Sequence, residues 1–95
     1  MTPDEAKEAA KLFAAQAGYR ALTAIEHSRV IQFSAARLRR AYGEGGLKEV
    51  DDELARLKAL MPRLILSVGF SRENDRDWIT LQLPGWEDKV ALTPA

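Results

Sequence analysis

Between Ala21 and Met61 the chain carries two runs of apolar residues at steps of three and four, separated by Gly43-Glu44-Gly45-Gly46. A helical period on either side of a glycine-rich break predicts two amphipathic helices folded into a hairpin. In the second run, Leu47, Val50, Leu54, Leu57 and Met61 share one stripe, and Lys48, Glu49, Asp51, Asp52, Glu53, Arg56 and Lys58 take the other side. Lys48–Asp52 and Asp52–Arg56 are opposite charges four residues apart, which supports the helix. Acids cluster near its start and Lys58 lies near its end, the order the helix dipole favours. Pro62 ends it, because the residue before a proline avoids the α region.

The first run carries more apolar surface than one neighbour can cover. Ala21, Ala24, Ser28, Ile31, Ala35, Leu38 and Tyr42 form a seam of mostly small residues. Tyr19, Leu22, Val30 and Phe33 form a second stripe about a third of a turn away. One stripe is expected to meet the second run. The other meets either an N-terminal helix or a different polypeptide.

That N-terminal helix begins at Thr2-Pro3-Asp4-Glu5, where a capping threonine, a first-turn proline and a glutamate three residues on form a capping box. Its alanines give good propensity and little to bury, so Leu12 and Phe13 are its expected anchors. Gly18 is the expected stop, in the left-handed conformation. Thr23-Ala24-Ile25-Glu26 offers a second start, which places a break within 18–22; the rival is one continuous helix over 3–42.

After Pro62 the period changes to two. Leu64, Leu66, Val68 and Phe70 alternate with Ile65, Ser67, Gly69 and Ser71; beyond a polar stretch, Ile79, Leu81 and Leu83 alternate with Trp78, Thr80 and Gln82. This predicts a β-hairpin with one apolar face. Pro84-Gly85 signals a turn, and 89–93 is the candidate for a third strand. A lone hairpin is marginal in water, so helices or a partner must cover it. The expected fold is α+β. Two to three N-terminal helices (about 3–17, 20–42 and 47–61, with the helical hairpin at 19–61) pack on an antiparallel hairpin or three-stranded meander over 64–93 (strands about 64–70, 77–83 and 89–93). All 95 residues form a single domain.

Composition removes several function classes. The chain has no cysteine, so disulfide scaffolds, cysteine nucleophiles and zinc ribbons are excluded. No apolar run approaches the length of a membrane span and no leader-like segment precedes the first helix, so a cytoplasmic protein without a membrane partner is expected. Fourteen basic and fourteen acidic residues balance to zero, which gives no footprint of a general nucleic-acid binder and weak protection against self-association. No metal or other cofactor is expected.

Candidate sites are few. His27 is the only histidine and shares a narrow polar sector with Thr23 and Ser34; the catalytic reading makes it a general base, the simpler one an exposed helix residue. Arg29, Arg37, Arg39 and Arg40, with Tyr42 available to stack on a base, are the candidates for anion or nucleic-acid contact, against the simpler reading of solvation near a helix end. Gly43–Gly46 leads into a helix start where amides can hold an anion, although no Walker lysine follows. Arg72, Glu73, Asn74, Asp75, Arg76 and Asp77 make a charged hairpin tip without calcium-loop spacing. Trp78 falls on the polar side of its strand and Trp86 in a turn, so both join Tyr19, Leu22, Val30 and Phe33 as candidate partner contacts. The expected function is a non-catalytic protein–protein interaction module, self-associating in its simplest form. Accessory or adaptor subunits and the small inhibitors of phages and mobile elements fit this size. The alternative is a nucleic-acid-binding regulator using the arginine cluster.

Overall fold

A computed structural model describes residues 2–18 and 20–93, the side chains of residues 12 and 14–17 excepted. Two helices, α1 (Pro3–Ala17) and α2 (Ala24–Leu60), precede three strands, β1 (Ser67–Glu73), β2 (Arg76–Leu83) and β3 (Trp86–Ala91). The strands form one antiparallel sheet in the order β1-β2-β3, so the chain is α+β.

The expected hairpin of helices is present, but its turn is a single residue. Helical conformation runs through Gly43 and Gly45 and breaks at Gly46 (φ 68°, ψ −155°), a region that only glycine enters cheaply. A straight helix of 37 residues would span about 55 Å, yet the molecule measures 36 Å along its longest axis. The chain therefore reverses at Gly46, and residues 47–60 run back along the first arm. α2 starts at Ala24 rather than near residue 20, because Thr23 and Glu26 complete a capping box there. Thr2 caps α1 by accepting from the Glu5 amide, and Gly18 ends it at positive φ, with a ψ of −128° that lies outside the left-handed helical basin. The continuous 3–42 helix is thereby ruled out.

Burial corrects the two-stripe expectation. The second arm is too short to reach the start of the first, so Ala21, Ala24 and Ser28 on the small-residue seam stay exposed, as does Ile25. Leu22 and Val30, named as candidate partner contacts, are instead buried in one cluster with Leu38, Val50, Leu57, Ile79, Leu81 and Leu83. Leu47, read as core, is exposed beside the turn, while Val50, Leu54, Leu57 and Met61 are buried as expected. Arg56 pairs with Glu49 and Glu53, on the side facing the first arm, rather than with Asp52.

The strands begin and end later or earlier than the alternation predicts. Leu64 and Ile65 amides both bond to the Met61 carbonyl, so a turn follows the helix and β1 starts at Ser67. β3 starts at Trp86, immediately after the Pro84-Gly85 turn. Gly85 has φ 82°, and a Cβ built on it would lie 2.6 Å from the Ala21 Cβ. This close approach lets the segment ahead of α2 dock on the turn. The Leu22 amide donates to the Pro84 carbonyl (2.9 Å), and the Trp86 indole N–H donates to the Leu22 carbonyl (2.8 Å). Both backbone groups of one residue are thus satisfied by the sheet.

Candidate interaction surface

β1 is an outer strand of the sheet, and α2 packs towards the opposite edge, at β3. Directly paired residues of antiparallel strands share a face. Val68 and Phe70 therefore lie on the same face as their partners Leu81 and Ile79, which are fully buried. The helical layer covers β2 and leaves β1 open: Phe70 is 50% exposed, and Leu66, at the mouth of the strand, is 51% exposed.

The backbone of this edge is open as well. Glu73 and Arg76 flank a two-residue turn in which Asn74 (φ 55°) and Asp75 (φ 59°) both have positive φ, the pattern of a type I′ hairpin. The flanking pair in such a turn is hydrogen-bonded, so alternation gives Ser71, Gly69 and Ser67 to β2 as well. The N–H and C=O groups of Val68, Phe70 and Arg72 then point away from the sheet. Among the described residues no loop or cap backbone bond takes them up. The strand Ser-Val-Gly-Phe-Ser-Arg-Glu contains neither proline nor lysine, the residues that commonly blunt an edge. Its charges sit at one end and are engaged within the sheet: Arg72 with Asp77 of β2 (3.2 Å) and Glu73 with Lys89 of β3 (2.8 Å).

The side chains singled out from the sequence are dispersed. Tyr19 lies outside the described residues. Leu22 and Val30 are inside the protein. Phe33 is half-buried, meeting Phe13 edge-on at 5.9 Å, and the Arg37 guanidinium lies 5.7 Å from its ring centre. Phe33 also floors a cleft of about 400 Å³ between α1 and α2, rimmed by Asp4, Glu5 and Glu8. Trp78 is half-buried; its indole N–H donates to the Glu73 carbonyl and Arg76 packs over it at 5.1 Å. Trp86 keeps 36% exposure while holding Leu22.

The arginines do not form one surface. Arg37 is buried and binds Glu53 across the helical hairpin. Arg39 donates to the Ala91 carbonyl (2.9 Å). Arg29 and Arg40 are exposed, Arg40 beside Glu44 and Glu49 in a polar cavity of about 200 Å³. The Tyr42 hydroxyl donates to Asp77 (3.0 Å), which pushes its pKa up and ties the ring to the sheet rather than leaving it free to stack. The glycine run that spells a helix-ending turn, with an anion loop as its alternative, belongs to the helix up to Gly46, so its amides form no loop cradle.

His27 faces the sheet. Its ring stacks on Trp86 (4.3 Å between centres, 15° between planes), and Nε2 lies 3.0 Å from an Asp88 oxygen. The Thr23 hydroxyl accepts from the Glu26 amide, and the buried Ser34 hydroxyl has no hydrogen-bond partner, so the imagined partners of a catalytic histidine do not meet it. The sequence points to the exposed face or edge of the hairpin as a partner surface, without singling out Leu66, Phe70 or the β1 edge. The signal was present in Leu66 and Phe70, but alternation names a face without saying how far the helices reach over it. No helix among the described residues is long and apolar enough to cross a membrane. No protein-family model matches the chain, and neither a curated protein nor a solved structure does.

Proposed function

We propose that the chain is a non-catalytic protein-interaction module that accepts an extended polypeptide segment along β1. The observation that carries this reading is the coincidence of the outer backbone edge of β1 with half-exposed Phe70 on that strand and Leu66 just ahead of it. In strand addition, main-chain hydrogen bonds supply affinity and alternate side chains supply specificity. Leu66, Val68 and Phe70 provide that alternate set, and the outward groups of Val68, Phe70 and Arg72 provide the ladder.

The test is a photo-reactive benzoyl-phenylalanine placed at Phe70, compared with the same group at Arg29, in cells that make the protein. Cross-linking to a protein at position 70, abolished by Val68→Pro and weak at position 29, supports the reading. Proline at 68 removes an outward N–H and leaves the β1–β2 ladder intact. No adduct at position 70, or equal yields at both positions, overturns it.

A further inference from the structure

We infer that the segment β1 accepts is β1 of a second copy of this chain, paired antiparallel about a two-fold axis through Phe70. The inference rests on the strand-accepting reading and adds the occupant.

Register is the first argument. In an antiparallel pair, outward-pointing residues must face outward-pointing residues. A symmetric pair can therefore centre on any residue of β1, but only centring on Phe70 matches all seven residues of the strand. Phe70 then faces Phe70 of the second copy, Val68 faces Arg72, Gly69 faces Ser71, and Ser67 faces Glu73. Val68, Phe70 and Arg72 exchange about six backbone hydrogen bonds across the axis.

Charge is the second argument. In this register no like charges oppose each other, and a serine hydroxyl meets a carboxylate at each end. Centring on Arg72 would set two arginines face to face, which destabilises a strand pair. The zero net charge of the chain leaves no long-range repulsion between copies.

Burial is the third argument. The result is a six-stranded sheet in the order β3-β2-β1-β1-β2-β3. The axis stands perpendicular to the sheet, so both helical layers lie on one side. The Phe70 side chains of both copies meet in the trough between those layers, flanked on each side by Val68 of one copy and Arg72 of the other. The two Phe70 rings, each half-exposed in one copy, cover one another. Seven residues a side bury on the order of 1,000 Å² in total, the lower limit for a specific interface, so association is expected to be weak and concentration-dependent.

The experiment uses sedimentation equilibrium on the whole chain and on Phe70→Lys and Phe70→Glu, with concentrations up to about 0.5 mM, where weak interfaces associate. The expected result is a wild-type dimer of twice the 10.6 kDa chain mass, two monomeric variants, and a dimer restored when the variants are mixed in equal amounts. Restoration is specific to a register that puts position 70 opposite itself. A monomeric wild type overturns the inference, as do dimeric variants or a mixture that stays monomeric. Hydrogen exchange on the wild type needs no substitution: the amides of Val68, Phe70 and Arg72 should slow with concentration while those of Gly69 and Ser71 hold constant. Concentration-independent exchange overturns the inference. The cross-link at position 70 separates the two readings, because an adduct to a different protein supports strand acceptance while removing the second copy as its occupant.

Discussion

Arg37 and Glu53 meet across the helical hairpin, the guanidinium Nε 2.7 Å from a carboxylate oxygen, with the two residues 6% and 7% exposed. The pair is unequal in its remaining support. Glu53 also accepts from Arg56 (2.9 Å), whereas the nearest other acid to Arg37 is Glu5 at 3.9 Å. Removing one partner of a buried pair costs about 3–5 kcal/mol, mainly because the other charge is stranded. Glu53→Gln should approach that range in urea unfolding. Arg37→Met should cost clearly less, since Glu53 keeps Arg56. Equal losses would contradict this account.

Two glycines three residues apart should respond in opposite directions. Gly43 is helical with open space where a Cβ would stand, so Gly43→Ala should stabilise by about 0.5–1 kcal/mol. Gly46 carries the reversal at positive φ, so Gly46→Ala should destabilise by about 1–3 kcal/mol. Thermal melts of both variants decide the matter. A stabilising Gly46→Ala would mean that the two arms are not turned there.

The tryptophans should differ although both donate to a carbonyl. Trp86→Phe leaves the Leu22 carbonyl without its donor and removes the stack on His27, which should cost about 1–3 kcal/mol. Trp78→Phe loses a bond at the exposed hairpin end and should cost about 0.5–1 kcal/mol. Denaturant midpoints compared at equal slope are the readout.

Acid should act through Glu26. Arg20 donates to both of its carboxylate oxygens (2.8 and 2.9 Å), and the Thr23 amide donates as well, holding its pKa at about 2. A carboxylate depressed in the folded state contributes stability above its unfolded pKa, and that contribution fades as pH falls towards the folded value. The wild type should therefore lose melting temperature between about pH 4.5 and about pH 2 more steeply than Glu26→Gln, the two curves converging at the acid end. Parallel curves would show that Glu26 is not linked to folding.

Local patterns made the elements legible and left their coverage hidden. The helical period, the cap at Thr2, the capping box at Thr23, the stop before Pro62 and the alternation of Ile79, Leu81 and Leu83 all act within a few residues, and the structure follows them. The fate of Val30 depends on what packs over it, and an isolated helix carries no record of that. Glu53 reads as one of several surface acids until the reversal at Gly46 turns it towards Arg37. Leu66 and Phe70 have the same alternation as Leu81 and Ile79, yet only the latter lie under the helices. Trp86, read as a turn residue, reaches back to a carbonyl 64 positions earlier in the chain.

That reach has a mechanical consequence. The sheet grips the chain at Leu22, downstream of α1, through one backbone amide and one carbonyl. Tension applied at the N-terminus would peel α1 from α2 first and then halt at the indole, as a zip halts at its end-piece. The hairpin and sheet would keep their shape until the indole let go.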